Sequence, residues 1–82
     1  MDDNDFNKLC LQLAGQIKAA RQQAKLSQES LALAAEVDRT YVSQLERGIA
    51  NPSLLILYRL AKTLGLELKI SFISAPEGGL PS

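Results

Sequence analysis

The sequence predicts a small all-α domain of four or five helices, followed by a short β-strand. Along most of the chain, apolar residues recur at three- and four-residue steps, which is the spacing of a helix with one buried face. Serine, aspartate and glycine stand where helices usually begin and end. From Leu66 onward the spacing changes to period two, which is typical of a half-buried strand.

Two short helices joined by a tight turn form the centre of the predicted domain. Ser27 is placed to cap a helix over 28–35, and Asp38 is placed to cap a second helix over 39–47. Gly48 stands where a helix C-terminus favours glycine. The predicted buried residues of the two helices and their turn are Leu31, Ala32, Ala35, Val37, Val42 and Leu45.

A longer helix is predicted ahead of this pair. After an acidic lead over residues 1–5, in which Asn4 or Asp5 can act as the cap, the pattern gives about five helical turns ending near Lys25. Gly15 lies inside this helix and either weakens it by about 1 kcal/mol or permits close packing. The predicted buried face consists of Phe6, Leu9, Cys10, Leu13, Ile17, Ala20 and Ala24.

The last predicted helix follows a loop that contains Pro52. Ser53 can cap it, Gly65 ends it, and Leu54, Leu57, Ala61 and Leu64 form its expected buried stripe. Leu55 and Ile56 are surplus apolar residues on the other side. They are either scattered surface residues or part of a subunit interface, and the second interpretation is preferred.

The helical domain over 6–65 is followed by a predicted strand over 66–73 and a disordered tail over 74–82. A lone strand cannot satisfy its own backbone groups, so we expect it to pair with the same segment of a second copy. The alternative is a fifth helix with Leu66, Ile70 and Ile73 inward. The predicted homodimer interface consists of Leu55, Ile56, Leu68, Ile70 and Phe72.

Composition excludes several classes of function. The chain has no histidine and one cysteine, so histidine-based metal sites, a histidine general base and an internal disulfide are excluded. We therefore expect no cofactor, no metal and no enzymatic activity, and expect Cys10 to be a buried thiol. The absence of a membrane-spanning run or signal peptide makes a cytoplasmic protein the default expectation.

The net charge of zero conceals an uneven distribution. Residues 8–62 hold eight basic and four acidic residues, a net charge of +4, whereas the flanks hold one basic and five acidic residues, a net charge of −4. Because screening limits the reach of a charge to about 10 Å at 0.1 M salt, the local balance matters more than the total. The basic central region is compatible with nucleic-acid binding.

Several runs of residues at fixed spacing carry a family resemblance. They are Leu26-Ser27-Gln28, Leu31-Ala32, Val37-Asp38-Arg39-Thr40-Tyr41-Val42-Ser43, Leu45-Glu46-Arg47-Gly48, Asn51-Pro52-Ser53 and Leu60-Ala61-Lys62. This pattern resembles the XRE/Cro family of bacterial and phage repressors, whose fold is a lambda-repressor-like bundle containing a helix-turn-helix. A departure is Glu36, where the family often has glycine, because a positive φ is uncommon in other residues.

The resemblance implies sequence-specific binding of double-stranded DNA by a dimer, with residues 39–47 entering the major groove. Arg39 would contact guanine, Thr40 and Ser43 would contact bases, and Gln44 would contact adenine. The phosphate contacts would come from Gln28, Tyr41, Arg47 and Asn51. The resemblance further implies an internal ion pair between Arg21 and Glu46, with phosphate binding by Arg21 as the alternative.

Three functions are compatible with these observations. The first is a repressor-like transcriptional regulator, and the run Asp38-Arg39-Thr40-Tyr41 resembles restriction–modification controllers. The second is the antitoxin of a toxin–antitoxin module, which would bind a toxin protein as well as its own promoter. The predicted C-terminal strand favours this function, because antitoxin-type members of the family pair such a strand across the dimer. The third is a helix-turn-helix domain that makes only protein contacts.

Overall fold

The computed structural model of the protein describes residues 3–74, which contain four α-helices. The helices are α1 (Asp3–Gln23), α2 (Gln28–Ala35), α3 (Arg39–Glu46) and α4 (Leu54–Thr63). The bounds of α2 are those predicted, whereas α3 and α4 each end one residue earlier than predicted. Because α1 begins at Asp3, residues 3–5 are helical, where the sequence suggested a non-helical lead.

The predicted caps of α2, α3 and α4 are confirmed. The Ser27 hydroxyl accepts the backbone N–H of Ser30 at 3.0 Å, and the Asp38 carboxylate accepts that of Thr40 at 2.8 Å. Ser53 accepts the backbone N–H of Ile56 at 3.2 Å. These bonds satisfy amide groups that a helix start leaves without an intrahelical partner, and they fix where each helix begins.

Two turns place a residue other than glycine in the left-handed region. Glu36 has φ 58° after α2, and Lys25 has φ 59° after α1. The turn at Glu36 is closed by the N–H of Val37, which donates to the carbonyl of Ala32 at 2.8 Å. Glu36 therefore adopts the backbone that the family usually gives to glycine, while the same conformation at Lys25 was not predicted.

The core lies where α2 and α3 meet α1 and α4. The fully buried side chains are Leu31, Val42 and Leu60, of which Leu60 was not predicted. Cys10 is buried, as expected. The core cluster consists of Ile17, Leu31, Ala32, Ala35, Val42, Leu45, Ala50 and Leu60.

Three predicted core residues are instead exposed. Leu9 is 56% exposed because the buried face of α1 is centred on Cys10, Ala14 and Ile17, and Leu9 lies about 100° around the helix from Cys10. Leu54 is 60% exposed, about 120° around α4 from Leu60. Ala24 lies just beyond the end of α1.

Residues 66–74 form neither a helix nor a strand. The alternative of a fifth helix at 66–73 is therefore wrong for this chain. The predicted strand is not formed in the single chain either, and it would require a partner strand. The N–H of Leu66 donates to the carbonyl of Ala61 at 2.8 Å, and within the described chain residues 67–74 make no backbone hydrogen bond. Apart from Ser74, the predicted disordered tail lies outside the described residues.

Candidate DNA interface on the third helix

The third helix has one buried and one accessible side. Val42 and Leu45 are 0% and 2% exposed and anchor the helix in the core. Arg39 and Thr40 are exposed at its start, and Gln44 is half-buried. The side chains that can contact base edges therefore lie away from the core.

The remaining predicted contact residues flank this accessible side. Ser43 is half-buried on α3, while Arg47 and Asn51 are exposed in the segment that follows. Tyr41 is half-buried because its side chain packs partly against the core cluster. Tyr41 thus has a packing role that the sequence did not reveal, and contact of these residues with DNA stays a prediction.

An ion pair holds α3 against α1. Arg21 Nε donates to Glu46 Oε2 at 2.6 Å, and Arg21 Nη2 donates to Glu46 Oε1 at 2.9 Å. The side chains are 12% and 2% exposed, respectively. The structure therefore contains the bidentate pair that the family resemblance implied, and it engages the Arg21 guanidinium internally.

The same arginine also fixes the turn between α1 and α2. Its Nη1 donates to the carbonyl of Leu26 at 2.8 Å, while the N–H of Leu26 donates to the carbonyl of Arg21 at 3.1 Å. This reciprocal pair links the turn to the ion pair, and through it to the base of α3.

Gln28 joins the network from the first residue of α2. Its Nε2 donates to Glu46 Oε1 at 3.1 Å, so one carboxylate connects α1, α2 and α3. Because a carboxylate only accepts hydrogen bonds, this contact sets the orientation of the Gln28 amide. The sequence pointed to phosphate binding by Gln28 but contained no signal for this internal bond.

The network changes the acidity of both charged groups. Burial raises the pKa of the Glu46 carboxyl, but the hydrogen bonds from Arg21 and Gln28, together with the charges of Arg21 and Lys18, outweigh it and lower the pKa below its ordinary value of 4.5. The hydrogen bond to Glu46 raises the pKa of the Arg21 guanidinium, despite partial burial. Both groups therefore stay charged at neutral pH.

A second feature of the surface is an apolar patch, here called the α4–tail patch. It is lined by Leu54, Leu55, Tyr58, Leu68 and Ile70. Phe72, farther along the tail, is 100% exposed. Ile56 is half-buried against the core of its own chain, so of the two surplus apolar residues predicted on α4 only Leu55 is largely accessible.

Other kinds of site were sought in the same part of the chain. Residues 3–74 contain no group of three cysteine or acidic side chains placed to hold a metal ion. None of the helices described is long and apolar enough to cross a lipid bilayer.

A capped helix pair with a buried rear and an accessible polar front defines the protein as a helix-turn-helix domain. A family model described as helix-turn-helix matches residues 17–70. The chain belongs to this family of XRE/Cro-type transcriptional regulators, as the sequence predicted.

Two relatives are control proteins. The control protein C.BamHI of Bacillus amyloliquefaciens is 36% identical over 66 residues, covering 80% of this chain and 79% of that protein. The control protein C.MunI of Mycoplasma sp is 36% identical over 68 residues, covering 82% of this chain and 92% of that protein.

A solved structure supports the same relationship. The restriction–modification controller protein C.AhdI from Aeromonas hydrophila superimposes with a TM-score of 0.69 at 36% sequence identity. The match covers 71% of this chain and 88% of that chain. The match is therefore to most of the controller protein's structure.

Proposed function

We propose that the protein is a sequence-specific DNA-binding regulator of the controller type, acting as a homodimer on a palindromic operator. The observation that carries this proposal is the exposed start of α3, where Arg39 and Thr40 project from a helix anchored by Val42 and Leu45. A rigid helix with an accessible polar side is what the major groove of DNA admits.

The controller class is favoured by the extent of similarity. The alignments with two control proteins span 79% and 92% of their lengths. By contrast, the alignment with the immunity repressor of Bacillus phage phi105 spans 36% of that protein. The similarity to control proteins thus extends over almost the whole regulator.

Base readout is assigned to the accessible side of α3. Arg39 can donate two hydrogen bonds to O6 and N7 of guanine, and Gln44 can pair with adenine. Thr40 and Ser43 contact neighbouring bases in this proposal. The phosphate contacts in this proposal come from Tyr41, Arg47, Asn51 and Gln28. Gln28 uses the side-chain N–H that its bond to Glu46 leaves free.

Dimerisation is assigned to the α4–tail patch. Leu55, Ile70 and Phe72 are 55%, 60% and 100% exposed, which is unfavourable for large apolar side chains in water. The backbone groups of residues 67–74 have no partner within the described chain. Antiparallel pairing of 66–73 with a second copy would give a partner to the groups that face it, and would cover the patch together with Phe72.

A symmetric dimer places two recognition helices on successive major grooves. Half-sites would then lie about 34–36 Å apart on one face of the DNA. The antitoxin hypothesis depended on the same C-terminal strand, and no observation favours a toxin partner over a second copy.

Arg39→Ala tests the readout. In fluorescence anisotropy with DNA from immediately upstream of the gene, we expect the variant to lose about 1–3 kcal/mol of binding free energy and to relax its sequence preference. The reason is that the bidentate guanine contact would be lost.

Arg59→Ala is the matched control, since it removes an exposed arginine from α4 on the side of Glu36 and Lys62. It should retain the preference. Unchanged affinity and preference in Arg39→Ala would contradict the assignment, and binding that does not weaken between 50 and 200 mM salt would contradict DNA binding itself.

A further inference from the structure

We propose that Lys25 is an additional phosphate-binding residue of this protein, acting beside Gln28 at the start of α2. This inference rests on the proposed DNA-binding function and deepens it. Lys25 was not among the DNA contacts expected from the sequence.

The backbone at Lys25 is the first observation. Its φ of 59° lies in the left-handed region, which glycine adopts without steric cost and other residues rarely enter. Many helices end with a residue in this conformation, and that residue is usually glycine. Lys25 holds such a position two residues beyond α1, and within residues 3–74 its side chain makes no hydrogen bond or ion pair that would offset the cost.

The side chain is the second observation. Lys25 is exposed, and within residues 3–74 its ammonium group has neither a hydrogen-bond acceptor nor an ion-pair partner. By contrast, Arg21 is engaged by Glu46 and Leu26. Lys25 is therefore the cation in this turn that is available to an external anion.

The rigidity of the turn is the third observation. The N–H of Lys25 donates to the carbonyl of Gln22 at 3.0 Å, and Leu26 is held from both sides by Arg21. Through Arg21 and Glu46, the turn is connected to α3 and to the Gln28 amide. Lys25 is thus presented from a backbone that hydrogen bonds connect to the candidate interface.

The separation between Lys25 and Gln28 is short enough for both side chains to contact phosphates of one DNA strand. Lys25 is three residues from Gln28, a span of at most about 10 Å even if fully extended. The lysine side chain is long and flexible, so its ammonium can reach the phosphate bound by Gln28 or the next one. A phosphate contact of this kind adds affinity without adding sequence information.

The alternative interpretation is that Lys25 only complements the helix dipole at the end of α1. A cation near a helix C-terminus is favourable by about 0.3–1 kcal/mol. That interpretation predicts that removing the charge changes thermal stability and leaves DNA binding unaltered. The two interpretations therefore differ in a measurable quantity.

The experiment compares Lys25→Gly with the parent protein on two duplexes, the upstream DNA and a scrambled duplex of the same length. Glycine is compatible with φ 59°, so the variant is expected to fold. Because a dimer of the variant loses one lysine in each subunit, we expect the slope of log affinity against log salt to decrease by about 1.8, twice the value for one phosphate contact. Affinity for both duplexes should accordingly fall by about 60-fold at 0.1 M salt. Lys25→Arg should retain the parent's affinity and slope.

Two controls separate this result from other effects. Glu36→Gly makes the same backbone change at φ 58° in the other turn and should leave the salt slope unchanged. Arg59→Gln removes one positive charge from α4 and should also leave the slope unchanged.

The outcomes distinguish the proposals. If the parent binds DNA and Lys25→Gly matches it in affinity and slope, the role of Lys25 is overturned while the proposed function stands. If Arg59→Gln reduces the slope as much as Lys25→Gly does, the effect is one of net charge and the Lys25 contact is overturned. If the parent binds neither duplex, the proposed function fails first.

Discussion

Glu46 combines structural and electrostatic roles within one carboxylate. It accepts two hydrogen bonds from Arg21 and one from Gln28 while its side chain is 2% exposed. Removing one partner of a buried pair leaves the other charge without compensation, which typically costs about 3–5 kcal/mol. The orientation of α3 therefore depends on a buried carboxylate that is bonded to α1 and α2.

This network predicts a specific acid sensitivity. Because the folded-state pKa of Glu46 lies below 4.5, the unfolded chain binds more protons than the folded chain between the two values. The stabilisation from Glu46 is therefore complete above pH 4.5 and is lost as the pH falls through the folded-state pKa. Thermal unfolding from pH 7 to pH 2.5 measures this loss.

Glu46→Gln should lower the stability at pH 7 and reduce the loss on acidification, since the titrating group is gone. Glu29→Gln is the matched control, as Glu29 is an exposed carboxylate on α2. It should keep the parent's acid profile. A Glu46→Gln profile parallel to the parent's would show that Glu46 does not set the acid sensitivity.

Helix α1 packs closely against the end of α3, where the next loop begins. Gly48 has φ 75°, and a Cβ at this position would lie 2.6 Å from Cδ2 of Leu11 on α1. Glycine at the end of the recognition helix thus permits both the turn and the approach of α1. A Cβ placed at Gly15, within α1, would have no neighbour within 4 Å, so close packing does not explain this glycine.

The two glycines should respond oppositely to alanine. Gly48→Ala should destabilise the protein by about 1–2 kcal/mol, because alanine disfavours the left-handed region and its methyl group displaces Leu11. Gly15→Ala should stabilise the protein by up to about 1 kcal/mol, since alanine is the better helix former. Urea denaturation measures both, and equal changes would contradict the packing argument.

The whole molecule presents a polar surface on α3 and an apolar surface on α4 and the tail. The accessible side of α3 carries the groups proposed to contact DNA, and the α4–tail patch carries large exposed apolar side chains. A chain of 82 residues has a small core, so burial of this patch by a second copy would add substantially to stability.

Ile70→Asp is expected to shift the protein from dimer to monomer in sedimentation equilibrium, because it places a charge in the apolar interface. Leu33→Asp is the matched control, since Leu33 is 80% exposed but lies on α2, outside the patch. It should remain dimeric. A dimer that survives Ile70→Asp, or a parent that is monomeric at micromolar concentration, would rule out the proposed interface.

Local patterns were sufficient to predict the helices. Each cap bond joins residues two or three positions apart, so the chain close to Ser27, Asp38 or Ser53 contains the information needed to place a helix start. The buried faces of α2 and α3 follow from helical periodicity in the same way. The ion pair between Arg21 and Glu46 was expected only because the chain resembles a known family.

Contacts between residues that are far apart in the sequence were determined only by the folded structure. Gln28 and Glu46 are 18 positions apart, and no periodic pattern specifies a hydrogen bond over that separation. The exposure of Leu9 and Leu54, the burial of Leu60 and the left-handed backbone of Lys25 likewise depend on how the helices pack. Sequence periodicity defines the faces of single helices, whereas the hydrogen-bond network exists because α1 and α2 each bring a side chain to one carboxylate of α3.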